Sequence, residues 1–134
     1  MKNNLENILI IDYGSQYTQL IARRIRDLEV FSYVYPYHKV TDKLIKKINP
    51  TAFILSGGPK SVFDVNSPKL NLEVLLTGKP ILGICYGMQL LTINFKGKVS
   101  RSTNREYGNT IIDLRDKSQI FHGIKEKKIK VWMS

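Results

Sequence analysis

Residues 81–89 read Ile-Leu-Gly-Ile-Cys-Tyr-Gly-Met-Gln and hold the only cysteine of the chain, Cys85. An apolar run (Ile81, Leu82, Ile84) leads in, and a helix-compatible run (Met88, Leu90, Leu91) leads out, with Gly83 and Gly87 flanking the cysteine. This reads as a strand, a tight turn and a helix, with the thiol on the turn. It is the cysteine counterpart of the G-x-S-x-G elbow, in which small neighbours let a strained residue present its side chain above the end of a sheet. Unpaired N–H groups at the start of the following helix favour negative charge at that spot. A lone cysteine is by default a small buried hydrophobe. Here two glycines coincide with a strand-to-helix switch, and the nucleophile is the better reading.

The rest of the chain repeats the strand–helix alternation. Asn7 to Ile11 is a continuous apolar run of the kind found in a parallel strand buried on both faces. After the Asp12-Tyr13-Gly14 turn, Ser15 is expected to cap a helix reaching about Leu28, with Leu20, Ile21, Ile25 and Leu28 inward and Arg23, Arg24 and Asp27 outward. Val30 to Tyr35 reads as a second strand ending at Pro36, and Thr41 opens a basic helix, Asp42 to Ile48. Ala52 to Leu55 reads as a third strand, followed by Ser56-Gly57-Gly58-Pro59. Ser67-Pro68 predicts a helix start, with Gly78 as its end. Pro80 to Ile84 reads as a fourth strand, and the elbow helix runs to about Phe95. Beyond Gly97, Tyr107 to Leu114 and Lys128 to Trp132 read as strands, with a turn at Ser118 to Gly123 between them. Such alternation predicts an α/β fold with a parallel sheet, right-handed crossovers and both faces covered. Ligands of such sheets sit at the carboxyl ends of the strands, where the turns at 12–16, 56–59 and 85–87 converge.

With 134 residues, 43% hydrophobic and 24% charged, the chain has the composition of a soluble globular domain. No apolar run is long enough for a membrane span, and the polar Met-Lys-Asn-Asn start does not read as a signal peptide. A single cysteine cannot form an internal disulfide and fits a reducing cytoplasm. The formal charge of +10 raises the question of nucleic acid. The basic residues are spread over Arg23 to Arg26, Lys43 to Lys47 and Lys125 to Lys130, without interleaved aromatics or a recognition motif. Neither nucleic acid nor membrane is therefore the expected partner.

A cysteine attacking a carbonyl needs donors for the oxyanion and a base. The N–H of Tyr86, directly after the nucleophile, is the first donor the elbow offers. The second is expected from a neighbouring strand end where glycine allows close approach, which the Ser56–Pro59 turn can supply.

On these residues the chain resembles the class I (triad) glutamine amidotransferases. The resemblance is carried by Ile10 to Arg24 (Ile-Ile-Asp-Tyr-Gly-Ser-Gln-Tyr and onward), Leu55 to Val62, Gly83 to Gln89, Asn104 to Gly108 and Val131 to Ser134. It spans essentially the whole chain and implies a three-layer, flavodoxin-like parallel-sheet sandwich. The Tyr-Gly-Ser-Gln-Tyr and Arg-Glu-Tyr-Gly stretches are similar to the branch whose ammonia aminates xanthosine monophosphate to GMP. They fit the anthranilate, carbamoyl-phosphate and CTP synthase branches less well. The roles implied are Cys85 as nucleophile, Gly58 and Tyr86 as backbone oxyanion donors, and Gln89 with Gly57 as contacts for L-glutamine. The segment itself is expected to hold no cofactor and no metal. ATP and Mg²⁺ belong to a separate synthetase domain or subunit, the implied partner within a cytoplasmic purine-biosynthetic ligase that is a homodimer when full length.

The family base, a His-x-Glu downstream of the nucleophile, has no counterpart here. Only His38 and His122 are present, and both read as solvated or capping residues. The chain is expected to be the N-terminal portion, residues 1–134, of a glutaminase domain whose sheet and triad are completed beyond it. A non-catalytic glutamine-binding or regulatory module acting on a synthetase is the alternative, and the retained Cys85, Gly58 and Gln89 weigh against it. A flavodoxin-like phosphate binder would want a Gly/Ser/Thr-rich first loop, which Asp12 to Gln16 fits poorly. Since nucleophile and base act as a unit, the 134-residue polypeptide assayed alone should release almost no ammonia from glutamine. Turnover at ordinary enzymatic rates that disappears in Cys85→Ala would contradict this.

Overall fold

The four apolar runs of the first hundred residues form one all-parallel sheet. In the computed structural model, which describes residues 5–104, 107–115 and 118–133, the strands are β1 (Asn7–Asp12), β2 (Phe31–Pro36), β3 (Ala52–Leu55) and β4 (Ile81–Gly83). Their order is β2-β1-β3-β4. Ile10 of β1 lies opposite Val34 of β2 on one side and Ile54 of β3 on the other. The chain thus winds out to β2 and returns past β1 to β3, which opens a crevice at the carboxyl ends of β1 and β3. Arg105, Glu106 and Ser134, which belong to stretches quoted above, lie outside the described residues.

Strand side chains alternate between two cores. Leu9, Ile11, Phe53 and Leu55 join Ile45 of α2 (Asp42–Ile48), Val74 of α3 (Glu73–Leu76) and Leu90 of α4 (Tyr86–Asn94). Ile10 and Ile54 face the other way, onto Ala22 of α1 (Thr18–Asp27), with Ile21 and Ile25 packed around them. This is the expected α/β sandwich, with helices on both faces of a parallel sheet. α2 has the bounds predicted from its cap: the Thr41 hydroxyl accepts from the Leu44 N–H at 3.2 Å, and Asn49 ends the helix at φ 46°.

Two helices differ from the sequence reading. α1 begins at Thr18, three residues after Ser15: the Ser15 hydroxyl accepts from the Tyr17 N–H at 3.1 Å just ahead of the helix, and Asp12 ties the same turn. The Asp12 carboxylate accepts from the Gly14 N–H at 2.8 Å and from the Thr18 hydroxyl at 2.9 Å. Thr18 and Ala22 are consequently the buried line of α1, while Leu20 and Leu28 are exposed. The helix expected from Ser67-Pro68 is reduced to Glu73–Leu76. The groups before it are committed to tertiary bonds. The Pro68 carbonyl accepts from the Tyr86 hydroxyl, and the Asn71 amide donates to the Val40 carbonyl and to Asp42.

By internal contacts the chain divides into two units, Met1–Val99 and Ser100–Ser134. The second unit is an antiparallel hairpin of β5 (Gly108–Asp113) and β6 (Lys128–Met133), with Thr110 opposite Val131. Within the expected turn region, residues Gln119–Phe121 form a short 3-10 helix.

The ends of β1 and β3 and the start of α4 are joined through Ser56, which is fully buried. Its hydroxyl accepts from the Tyr13 N–H at 2.9 Å and donates to the Gly57 carbonyl at 2.8 Å. Its own carbonyl accepts from the Gly87 N–H at 3.1 Å. Ser56→Ala strands the buried Tyr13 N–H, and the expected loss of stability is about 1–3 kcal/mol. A chemical-denaturation midpoint unchanged from that of the wild type would contradict this role.

Candidate functional site

Cys85 occupies the sharp bend between β4 and α4, with φ 49° and ψ −111°. This conformation is disfavoured for any residue with a Cβ and costs on the order of 1–3 kcal/mol. The bend is held on both sides. The Ile84 N–H donates to the Leu55 carbonyl at 2.9 Å, and the Gln89 N–H donates to the Cys85 carbonyl at 3.1 Å. Both flanking glycines are needed for space. A Cβ on Gly83 would lie 2.7 Å from the Met88 backbone, and one on Gly87 would lie 2.4 Å from the Leu55 carbonyl oxygen. The thiol is exposed, so the buried-hydrophobe reading of this cysteine does not hold.

The Ser56–Pro59 turn lies directly against the bend. A Cβ on Gly57 would come 3.3 Å from the Cys85 Cβ and 3.8 Å from Ser15. Gly58 is pressed onto the first turn, where a Cβ would come 2.3 Å from the Tyr13 carbonyl oxygen. Tyr86 is the first residue of α4, so its N–H has no acceptor within the helix. Gln89 lies one turn further along α4 and is half-buried. The three turns singled out in the sequence therefore meet, and Cys85, Gly57, Gly58, Tyr86 and Gln89 belong to one end of the sheet. His38 is exposed on the 3-10 turn Tyr37–Lys39, edge-on to the Tyr37 ring, and His122 is exposed in the hairpin unit. Among the described residues, no three His, Cys, Asp or Glu side chains are gathered in a way that could hold a metal ion.

Behind the bend stands an aromatic row that the sequence reading did not single out. Tyr13 stacks on Tyr37 with centroids 5.6 Å apart, and its ring meets that of Tyr86 at 5.4 Å. Tyr13 and Tyr86 are both buried. The Tyr86 hydroxyl is anchored on the Pro68 carbonyl, whereas the Tyr13 hydroxyl has no hydrogen-bond partner among the described residues. Burial raises both phenol pKa values, and Tyr86 adds to the rise at Tyr13. The tyrosines are spaced too far apart in sequence for any periodicity to mark them as a cluster.

The family model for class-I glutamine amidotransferases matches residues 9–134. Among curated relatives, the glutamine-hydrolysing GMP synthase of Brachyspira hyodysenteriae is 47% identical over 134 residues, covering 100% of this chain and 26% of that protein. The corresponding enzyme of Oceanobacillus iheyensis is 48% identical over the same span, again 26% of its length. The chain thus spans about a quarter of the length of these relatives. A solved structure from Thermoplasma acidophilum, provisionally named as one of the subunits of a GMP synthase, shares the fold. Its TM-score is 0.76 at 23% identity, covering 97% of this chain and 64% of that one. No helix among the described residues is long and apolar enough to cross a membrane.

The aromatic row can be tested without any assay of catalysis. The raised Tyr13 pKa means the unfolded chain releases the phenol proton near the ordinary 10.0 while the folded chain keeps it. Stability is therefore full below that pH and falls as pH rises beyond it. Above about pH 10 the wild type should lose up to roughly 1.4 kcal/mol per pH unit relative to Tyr13→Phe. Denaturation midpoints of the two proteins that decline in parallel with pH would contradict a buried phenol.

Proposed function

This chain belongs to the class-I glutamine amidotransferase family, and we propose that it is the nucleophile-bearing portion of a glutaminase domain that supplies ammonia for GMP synthesis. The observation that carries this reading is the exposed Cys85 at a strained bend, with the glycine turn of β3 against it and a helix start behind it. In the proposed reaction the Cys85 sulfur adds to the side-chain amide carbon of L-glutamine, and the electron pair of the C=O bond moves onto oxygen. The Gly58 and Tyr86 N–H groups hold that oxygen, each contributing about 3–4 kcal/mol to the transition state in sites of this kind. Gln89 and Gly57 position the glutamine. The C=O bond then re-forms as the C–N bond breaks, the proton given up by the thiol goes to the leaving nitrogen, and ammonia departs. Water cleaves the glutamyl thioester to glutamate and frees the thiol.

The His-x-Glu base and the synthetase lie outside these 134 residues in this proposal. Close identity to glutamine-hydrolysing GMP synthases along the whole chain supports that assignment, as does the chain's share of about a quarter of their length. ATP and Mg²⁺ are assigned to the synthetase partner, where xanthosine monophosphate is activated and aminated. The reading is tested by a chloromethyl ketone analogue of glutamine, followed by intact mass. One adduct on Cys85 is expected, slowed by free L-glutamine and lost in Cys85→Ala. Labelling indifferent to glutamine would overturn the reading.

A further inference from the structure

We propose that Tyr13 is a positioning residue that sets the spacing between the two oxyanion donors, Gly58 and Tyr86. The inference rests on the glutaminase reading above. Oxyanion stabilisation requires donors held to within about 0.5 Å of the productive geometry. These two donors sit on different turns, one after β3 and one after β4, so something must hold the turns in register.

Tyr13 touches both. Its carbonyl lies against Gly58 so closely that a Cβ there would come within 2.3 Å. Its ring meets the Tyr86 ring at 5.4 Å, tilted by 50°. The Tyr13 ring also stacks on Tyr37, nearly parallel at 12° with centroids 5.6 Å apart. The far end of Tyr86 is tied by its hydroxyl to the Pro68 carbonyl. Tyr13 itself is tied down by its N–H on the Ser56 hydroxyl at 2.9 Å. The Tyr86 ring is thus held between an aromatic face and a carbonyl anchor, and its backbone N–H inherits that placement. The Tyr13 hydroxyl takes no part, being buried without a partner among the described residues. The working element is therefore the ring, and phenylalanine can stand in for it.

Two reagents separate positioning from mere thiol access. The chloromethyl ketone analogue of glutamine forms an S–C bond, expels chloride and releases the thiol proton to solvent. Its ketone carbon takes the place of the amide carbon, and the sulfur adds there first. The C=O electron pair moves onto an oxygen placed where the amide oxygen would be. The C=O then re-forms as the sulfur displaces chloride from the adjacent carbon. Methyl methanethiosulfonate forms a mixed disulfide and expels methanesulfinate, with no carbonyl for the donors to hold. For Tyr13→Leu in the 134-residue chain, the limiting rate of ketone labelling should fall about 10- to 100-fold, less than the loss of a whole donor. The ketone's half-saturation and the thiosulfonate rate should stay as in the wild type. Tyr13→Phe should restore ketone labelling, and Tyr37→Leu, at the half-exposed end of the row, should show a smaller loss of the same kind. An equal fall for both reagents, or no fall in the ketone rate, would overturn the proposal. If Tyr13→Leu fails to fold, Tyr37→Leu decides, and an unchanged ketone rate overturns it. A wild-type chain that reacts with the thiosulfonate and never with the ketone would instead remove the glutaminase reading, and this inference with it.

Discussion

Ser56 is a wholly buried polar residue whose hydrogen bonds join the end of β1, its own turn and the start of α4. The Tyr13 N–H comes from the end of β1, the Gly57 carbonyl belongs to its own turn, and the Gly87 N–H belongs to the first turn of α4. Buried polar networks are rigid when every member is satisfied and costly when one is not. This one sits where the winding of the sheet reverses between β1 and β3, the place where an open parallel sheet presents its crevice. The strain at Cys85, the close approach of Gly57 and Gly58, and the aromatic row behind them all presuppose that these turns are held together.

How much of this was legible in the sequence depends on how local each cause is. The four strands and α2 were legible because apolar runs and the Thr41 cap act within a few residues. The elbow at Cys85 was legible for the same reason, since Gly83 and Gly87 announce the space the bend requires. The start of α1 was legible only in part, because Ser15 shares the turn with Asp12, six residues before the Thr18 it binds. The Ser67-Pro68 signal failed because distant partners outcompeted a helical turn: Tyr86 for the Pro68 carbonyl, and Val40 with Asp42 for the Asn71 amide. Ser56 and Tyr13 lie 43 residues apart in sequence, and nothing in the neighbourhood of either predicts the bond between them.

Membership of the class-I glutamine amidotransferases agrees with this arrangement of turns at one end of a parallel sheet. The unit Met1–Val99 carries the whole convergence of Cys85 with the Ser56–Pro59 turn, while the hairpin of β5 and β6 is a separate unit by contacts. The strain at φ 49° is offset by ladder and helix bonds directly on either side of the bend. The thiol is thus presented by backbone that has little freedom to relax.

The Ser56–Pro59 turn approaches Cys85 with main chain rather than side chains, and that affects how such a site shows itself to mutation. Replacing a residue changes what hangs from the backbone and leaves the amides in place. A scan by substitution across residues 56–59 would therefore report crowding at Gly57 and Gly58 and a lost hydroxyl at Ser56, while the peptide N–H groups stayed silent. Their contribution becomes visible only to perturbations of the chain itself, such as an inserted residue or a single amide replaced by an ester.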